Sequence, residues 1–206
     1  MRAAHPRWRW RSARSAPKDL SDPTVSVPRI DQARLASDPL TGVALSMATS
    51  NFVSFHYDRD YWRVQQVLRM GAVEGQEILS AQDWESVKRK GKAAIEKWID
   101  DQMKGKSAVV VLVGKETASR EWCEYEITKA WNDKRPLVGI RIHGLKAVSG
   151  TTDTQGANPF NIKLSDGKSM STYVPLYSPG GADSKAVYAD IDANLATWLA
   201  TAYKRP

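Results

Sequence analysis

The chain has 206 residues, 42% of them apolar and 26% charged, a globular composition that excludes a collagen-like or wholly disordered polypeptide, and no apolar run nears the ~20 residues needed to cross a bilayer. Thirty Lys/Arg against 23 Asp/Glu give a net charge of +7, but residues 1–46 carry +4 of it and residues 47–206 only +3, too little for a dedicated nucleic-acid surface. One cysteine and three scattered histidines exclude an intramolecular disulfide, make no zinc site and suit a reducing, cytoplasmic compartment.

Residues 1–46 have no sustained helical or strand period, and Pro6, Pro17, Pro23, Pro28 and Pro39 interrupt them. They lack the apolar core of a signal peptide. The segment reads as a disordered basic extension, with Met47 as an alternative start immediately before the first strand. Residues 47–206 are the expected domain.

"NFVSFHY" (51–57) has the apolar, aromatic and β-branched content of a short strand. A helix follows from about Asp58 to Gly71, with Tyr61, Val64, Val67 and Leu68 on one face. "EILSA" (77–81) is a candidate second strand. One helix is then expected over "DWESVKRKGKAAIEKWIDDQM", with Val87, Ala94, Ile95, Trp98, Ile99 and Met103 inward and the 88–92 cations on a solvated face. "SAVVVLVG" (107–114) is a continuous apolar run of the kind that forms a central parallel strand. The segment from Ser119 is helical, and "PLVGIRIHG" (136–144) is the fourth strand. Residues 145–172 are too long and polar for an ordinary connection, so they form a functional loop or an inserted element. "YVPLYS" (173–178) is the fifth strand, and an amphipathic helix with Val187, Ile191, Leu195, Trp198, Leu199 and Ala202 inward closes the chain.

Strand and helix alternate five times. That order predicts an α/β, flavodoxin-like three-layer sandwich around a five-stranded parallel sheet, order 2-1-3-4-5. Ligands of such sheets bind where strands 1 and 3 diverge. The loops there are "HYDRD" (56–60) and "GKETASREW" (114–122).

"SREWCEYEITKAW" (119–131) holds three glutamates. Thr117 or Ser119 is the expected N-cap. At ~100° per residue, with Trp122 at zero, Glu126 falls near ~40°, Ala130 near ~80°, Cys123 near ~100°, Ile127 near ~140° and Trp131 near ~180°. Glu126 thus lies inside an apolar arc. Glu124 falls at its edge near ~200° and Glu121 opposite near ~260°, where a first-turn acid suits the helix dipole. From periodicity alone, Glu126 is either a rim residue paired with a Lys or Arg, or a carboxylate held for chemistry. Cys123 reads as a small buried hydrophobe. No phosphoacceptor Asp ends "VVVLVGKET", and no GxxxxGK[ST], GxGxxG or GxSxG is present.

"FVSFHYDRD" and "SREWCEYEI" resemble two motifs of TIR domains: the aromatic first strand with its polar turn, and the Ser-x-x-Trp-Cys-x-x-Glu helix after the third strand. "FVSFHYDRDYWR", "WESVKRKGKAAIEKWIDDQM" and "TDTQGANPF" are similar in particular to the TIR-like subunit of the bacterial Thoeris antiphage system. The resemblance spans about Asn51 to Lys204. It implies the TIR-like fold and NAD+ as a substrate, with no further cofactor. It also implies that Glu126, the glutamate of a W-x-x-x-E pattern starting at Trp122, is the catalytic acid. Phe55, His56, Tyr57, Asp58 and Trp122 are the expected substrate-binding residues. The implied reaction releases nicotinamide and closes the remainder into a cyclic ADP-ribose isomer, a diffusible signal for an effector protein. Self-association is a further partner the family implies, although "SAQDWESVKR" (80–89) is shorter and more polar than the assembly loop of many TIR domains. An alternative reading is a non-catalytic adaptor. A third, resting on "VKRKGK" and "RWRWR", is a nucleic-acid-acting module.

Overall fold

The apolar run at the centre of the chain forms β2 (Val109–Val113), buried at every position as a strand covered on both faces must be. This computed structural model describes residues 50–73 and 81–206, the side chains of 81–83 excepted. The expected basic extension 1–46 and residues 77–80 of the expected second strand lie outside the described residues, and Ala81 begins a helix.

In chain order the elements are β1 (Phe52–Ser54), α1 (Tyr57–Leu68), α2 (Ala81–Arg89), α3 (Lys92–Met103), β2, α4 (Glu121–Asn132), β3 (Leu137–Arg141), β4 (Leu176–Tyr177) and α5 (Ser184–Ala200). The four described strands are all parallel, in the order β1-β2-β3-β4. Val53, Val110 and Val138 stand side by side in register. With the 77–81 segment set aside, this is the expected relative order of the other four strands.

Alternation along β2 divides the interior. Val109, Val111 and Val113 join Ile95, Ile99 and Met103 of α3 and Ile127 and Trp131 of α4. Val110 and Leu112 join Val64 and Val67 of α1 and Val187, Ile191 and Leu195 of α5. Each face of the sheet thus has its own helical layer, the α/β arrangement the alternating pattern requires.

Three expectations are corrected. First, the helix expected over residues 83–103 is two helices. Gly91 sits at φ +88°, ψ 176°, backbone that only glycine adopts without strain, and it ends α2 and starts α3. Second, α4 is not capped by Thr117 or Ser119: its N-cap is Arg120, with no side-chain cap. Thr117 Oγ1 instead accepts the Gly114 N–H at 2.9 Å, and Ser119 Oγ donates to the Glu116 carbonyl at 2.9 Å, which spends both hydroxyls on the turn before the helix. Third, α1 ends at Leu68 rather than near Gly71, and its buried face is Asp60, Arg63, Val64 and Val67, with the expected Tyr61 and Leu68 half-buried.

The segment 145–172 is a folded insertion. Phe160 and Met170 are fully buried in the α3–α4 core. The Asp153 N–H donates to the His143 carbonyl at 2.9 Å, and Arg141 donates to the Gly156 carbonyl at 2.7 Å. A Cβ on Gly156 would stand 2.3 Å from the Gly114 carbonyl, so the segment presses directly on the loop after β2.

Candidate functional site

Between β1 with its following turn, α2, α3 and the start of α4 lies a cavity of about 390 Å³, within the ~300–1,000 Å³ typical of small-molecule sites. It brings together Phe55, His56, Tyr57, Asp58, Trp122 and Glu126, and adds Trp84, Lys88, Trp98, Arg120 and Cys123. β1 ends at Ser54 and α1 begins at Tyr57, so the turn between them points the 55–58 side chains to the sheet end. Phe55, His56 and Tyr57 are half-buried, and Asp58 is exposed.

Glu126 is 9% exposed, and among the described residues no cation reaches it at ion-pair distance. No described Lys or Arg supplies the rim pair of the alternative reading. Burial pushes its carboxyl up from 4.5 to about 8: little water and no countercharge support the ionised form. The neighbouring Ser54 Oγ is itself buried and makes no hydrogen bond of good geometry among the described residues. Its hydroxyl only tempers that effect. Cys123 is equally enclosed, and burial, then the Glu126 charge, push its thiol far above the ordinary range. An un-ionised thiol is no nucleophile. Glu121 is a solvated acid bonded to Lys92 Nζ at 2.6 Å.

A charged lattice holds the His56 turn from outside. Arg59 donates to Asp153 at 2.8 Å and to Glu116 at 3.0 Å, and Arg120 also pairs with Glu116. His56 Nδ1 lies 3.9 Å from Glu116. Burial, then the Arg120 charge, lower the His56 pKa against the pull of nearby carboxylates, so the ring is neutral at pH 7. Beneath it, the fully buried Asp60 binds Arg63 at 2.9 Å, and Arg63 reaches the Leu145 carbonyl at 2.8 Å. Gly114 is required here: a Cβ on it would meet Asp60 Oδ2 at 2.0 Å. The 145–172 segment supplies Asp153 to this lattice and does not itself line the cavity.

The remaining wall was missed by periodicity. The break at Gly91 folds α2 back on α3, so that the Trp84 and Trp98 rings lie 5.9 Å apart; in one continuous helix they would be separated by ~21 Å. Lys88, expected on a solvated face, lines the cavity with its ammonium 5.7 Å from the Trp84 ring centre. Gly91 within "KRKGK" was the available signal, obscured by the surrounding charges.

Two comparisons show what the chain is similar to. Residues 52–147 match the family described as "Thoeris protein ThsB, TIR-like domain". A Bacillus cereus (strain MSX-D12) protein named "Putative cyclic ADP-D-ribose synthase ThsB1" is 30% identical over 141 residues, covering 62% of this chain and 71% of that protein.

Proposed function

We propose, from the premise that the chain belongs to the TIR-like ThsB family of Thoeris proteins, that it is an NAD+-cleaving enzyme with Glu126 as its catalytic carboxylate. The product we assign is nicotinamide plus a cyclic ADP-ribose isomer that signals to an effector protein. The observation that carries this reading is a carboxyl without a countercharge, set among aromatic rings at the ligand end of the sheet.

The chemistry suits that group. Cleaving the bond between ribose C1′ and the nicotinamide nitrogen sends the bonding pair to the ring, and nicotinamide leaves neutral. No strong general acid is required. Positive charge develops on the sugar, as in glycoside cleavage, and an ionised Glu126 stabilises it in surroundings of low polarity. The bound pyridinium cation favours that ionised form, so NAD+ binding expels a proton from Glu126 to solvent. Attack on C1′ by water gives linear ADP-ribose; attack by a hydroxyl or base nitrogen of the substrate's own adenosine half gives the cyclic product; either nucleophile releases one proton to solvent. His56 and Tyr57 hold the ribose end beside Phe55, Asp58 and Trp122.

The test is mass spectrometry of NAD+ incubated with the purified protein and with Glu126→Gln, repeated with lysate of phage-infected cells as activator. Nicotinamide and a cyclic ADP-ribose mass from wild type alone are expected. Turnover by the Gln variant overturns the assignment of Glu126. NAD+ left intact under both conditions, with self-association of the protein, supports an adaptor instead.

A further inference from the structure

The cavity is electrically lopsided. The walls from the β1–α1 turn and α4 contribute Asp58, Glu121 and Glu126 with one cation, Arg120, whereas the α2–α3 wall contributes Trp84, Trp98 and Lys88 and, among the described side chains, no carboxylate. Aromatic rings connect the two ends without a gap: Phe55 to Tyr57 at 5.9 Å, Tyr57 to Trp84 at 6.1 Å and Trp84 to Trp98 at 5.9 Å. The Lys88 side chain is 32% exposed, partly sheltered from solvent screening. Its partner Glu85 lies 2.5 Å away and holds it against the Trp84 face without lining the cavity.

A dinucleotide with a pyridinium cation has the complementary pattern, a cation at one end and a diphosphate and purine at the other. We infer that Trp84, Trp98 and Lys88 form the subsite for the adenosine diphosphate half of the substrate, so that one chain holds both halves of NAD+. The inference rests on the NAD+ reading above and deepens it. Lys88 pairs with a phosphate oxygen as a charge-assisted donor, and an indole offers the purine a stacking face. Arg120, on the α4 side of the cavity and already bound to Glu116, is a second cation facing the same space. The Gly91 break is what places this subsite, since it carries Trp84 and Lys88 back over Trp98.

Calorimetry with ADP as the probe tests the subsite separately from turnover. Lys88 stands on the surface of α2, so Lys88→Gln keeps the fold, and Lys88→Arg restores the charge. ADP is expected to bind wild type and Glu126→Gln alike. Lys88→Gln and Trp84→Leu each weaken it by about tenfold, and Lys88→Arg recovers most of the loss. Nicotinamide riboside, which has no diphosphate, binds equally to wild type and Lys88→Gln. ADP affinity untouched by Lys88→Gln overturns the subsite, as does the absence of ADP binding to a wild-type protein that turns NAD+ over; both leave the NAD+ reading standing. ADP binding that depends on Lys88 in a protein that never consumes NAD+ upholds the subsite and overturns the enzymatic reading.

Discussion

Replacing Glu126 by Gln removes one titration and little volume, and its effect on stability has a definite sign. Burial raises the carboxyl from 4.5 to about 8. Between those values the folded chain keeps a proton that the unfolded chain has lost, so wild-type stability falls as pH rises through that window. At ~1.4 kcal/mol per pH unit the full loss has a ceiling of ~5 kcal/mol. Water in the cavity relieves part of it, leaving ~2–4 kcal/mol as the expectation. For a domain of this size that is ~5–15 °C in Tm. Thermal melts of both proteins from about pH 5 to about pH 9 measure it. At the acid end Glu126 is protonated and the two proteins melt together; at the alkaline end the Gln variant melts higher. His56 and Asp60 titrate in both proteins and cancel in the difference. A gap of the same size at both ends, or a wild type that gains on the variant as pH rises, refutes the argument that Glu126 is a buried acid without a countercharge.

Gly91→Ala is expected to cost ~1–3 kcal/mol in a urea melt, all of it from backbone conformation, because nothing lies within 4 Å of the new Cβ; it also weakens ADP binding by displacing α2. Asp153→Asn unpins the 145–172 segment from Arg59 and Arg63. Desolvation works to raise the Asp153 pKa, but the Arg59 and Thr154 hydrogen bonds and the Arg59 and Arg63 charges hold it below the ordinary value. Its contribution of ~1–3 kcal/mol is therefore present at neutral pH and lost as pH falls below about 4, and trypsin cuts the variant at Lys163 faster than wild type. Cys123 resists iodoacetamide at pH 8 in the folded protein and reacts readily in denaturant, since its thiol is buried and un-ionised; fast labelling of the native state contradicts that burial.

Four of the five expected strands and the Glu126 arc were legible in the sequence because both follow from simple periods. An unbroken valine run has one reading as a buried strand, and a carboxylate among Ala130, Cys123 and Ile127 stands out on a helical wheel. Lengths were less legible. Tyr57 reads as the end of a strand but opens α1, because an aromatic residue serves both elements. Asp60 and Arg63 are i, i+3 neighbours on a helix and look like a solvent-facing pair in a list of residues; only the fold buries them, with Arg63 shared between Asp60 and the Leu145 carbonyl. The α2–α3 wall was hidden for a different reason. Trp84 and Trp98 fit the period of a single helix closely enough that Gly91 reads as a tolerated interior glycine. Only its positive φ, a property of the backbone, turns that glycine into a hinge between two elements.

The two ends of the cavity together bear on which product forms. Water attacking C1′ needs no ordering of the substrate, whereas ring closure needs the adenosine half brought to C1′ and held there. If the α2–α3 wall restrains that half, it supplies the orientation that lets an internal nucleophile compete with water. Trp84→Leu and Lys88→Gln should then lower the ratio of cyclic to linear ADP-ribose at saturating NAD+, beyond any loss in total turnover. Saturation separates the two effects, because weaker binding alone raises KM and leaves the ratio unchanged. A variant that loses affinity and keeps the wild-type product ratio would assign the wall to binding alone, and ring closure would have to be directed from the β1–α1 turn, where His56 and Tyr57 line the cavity.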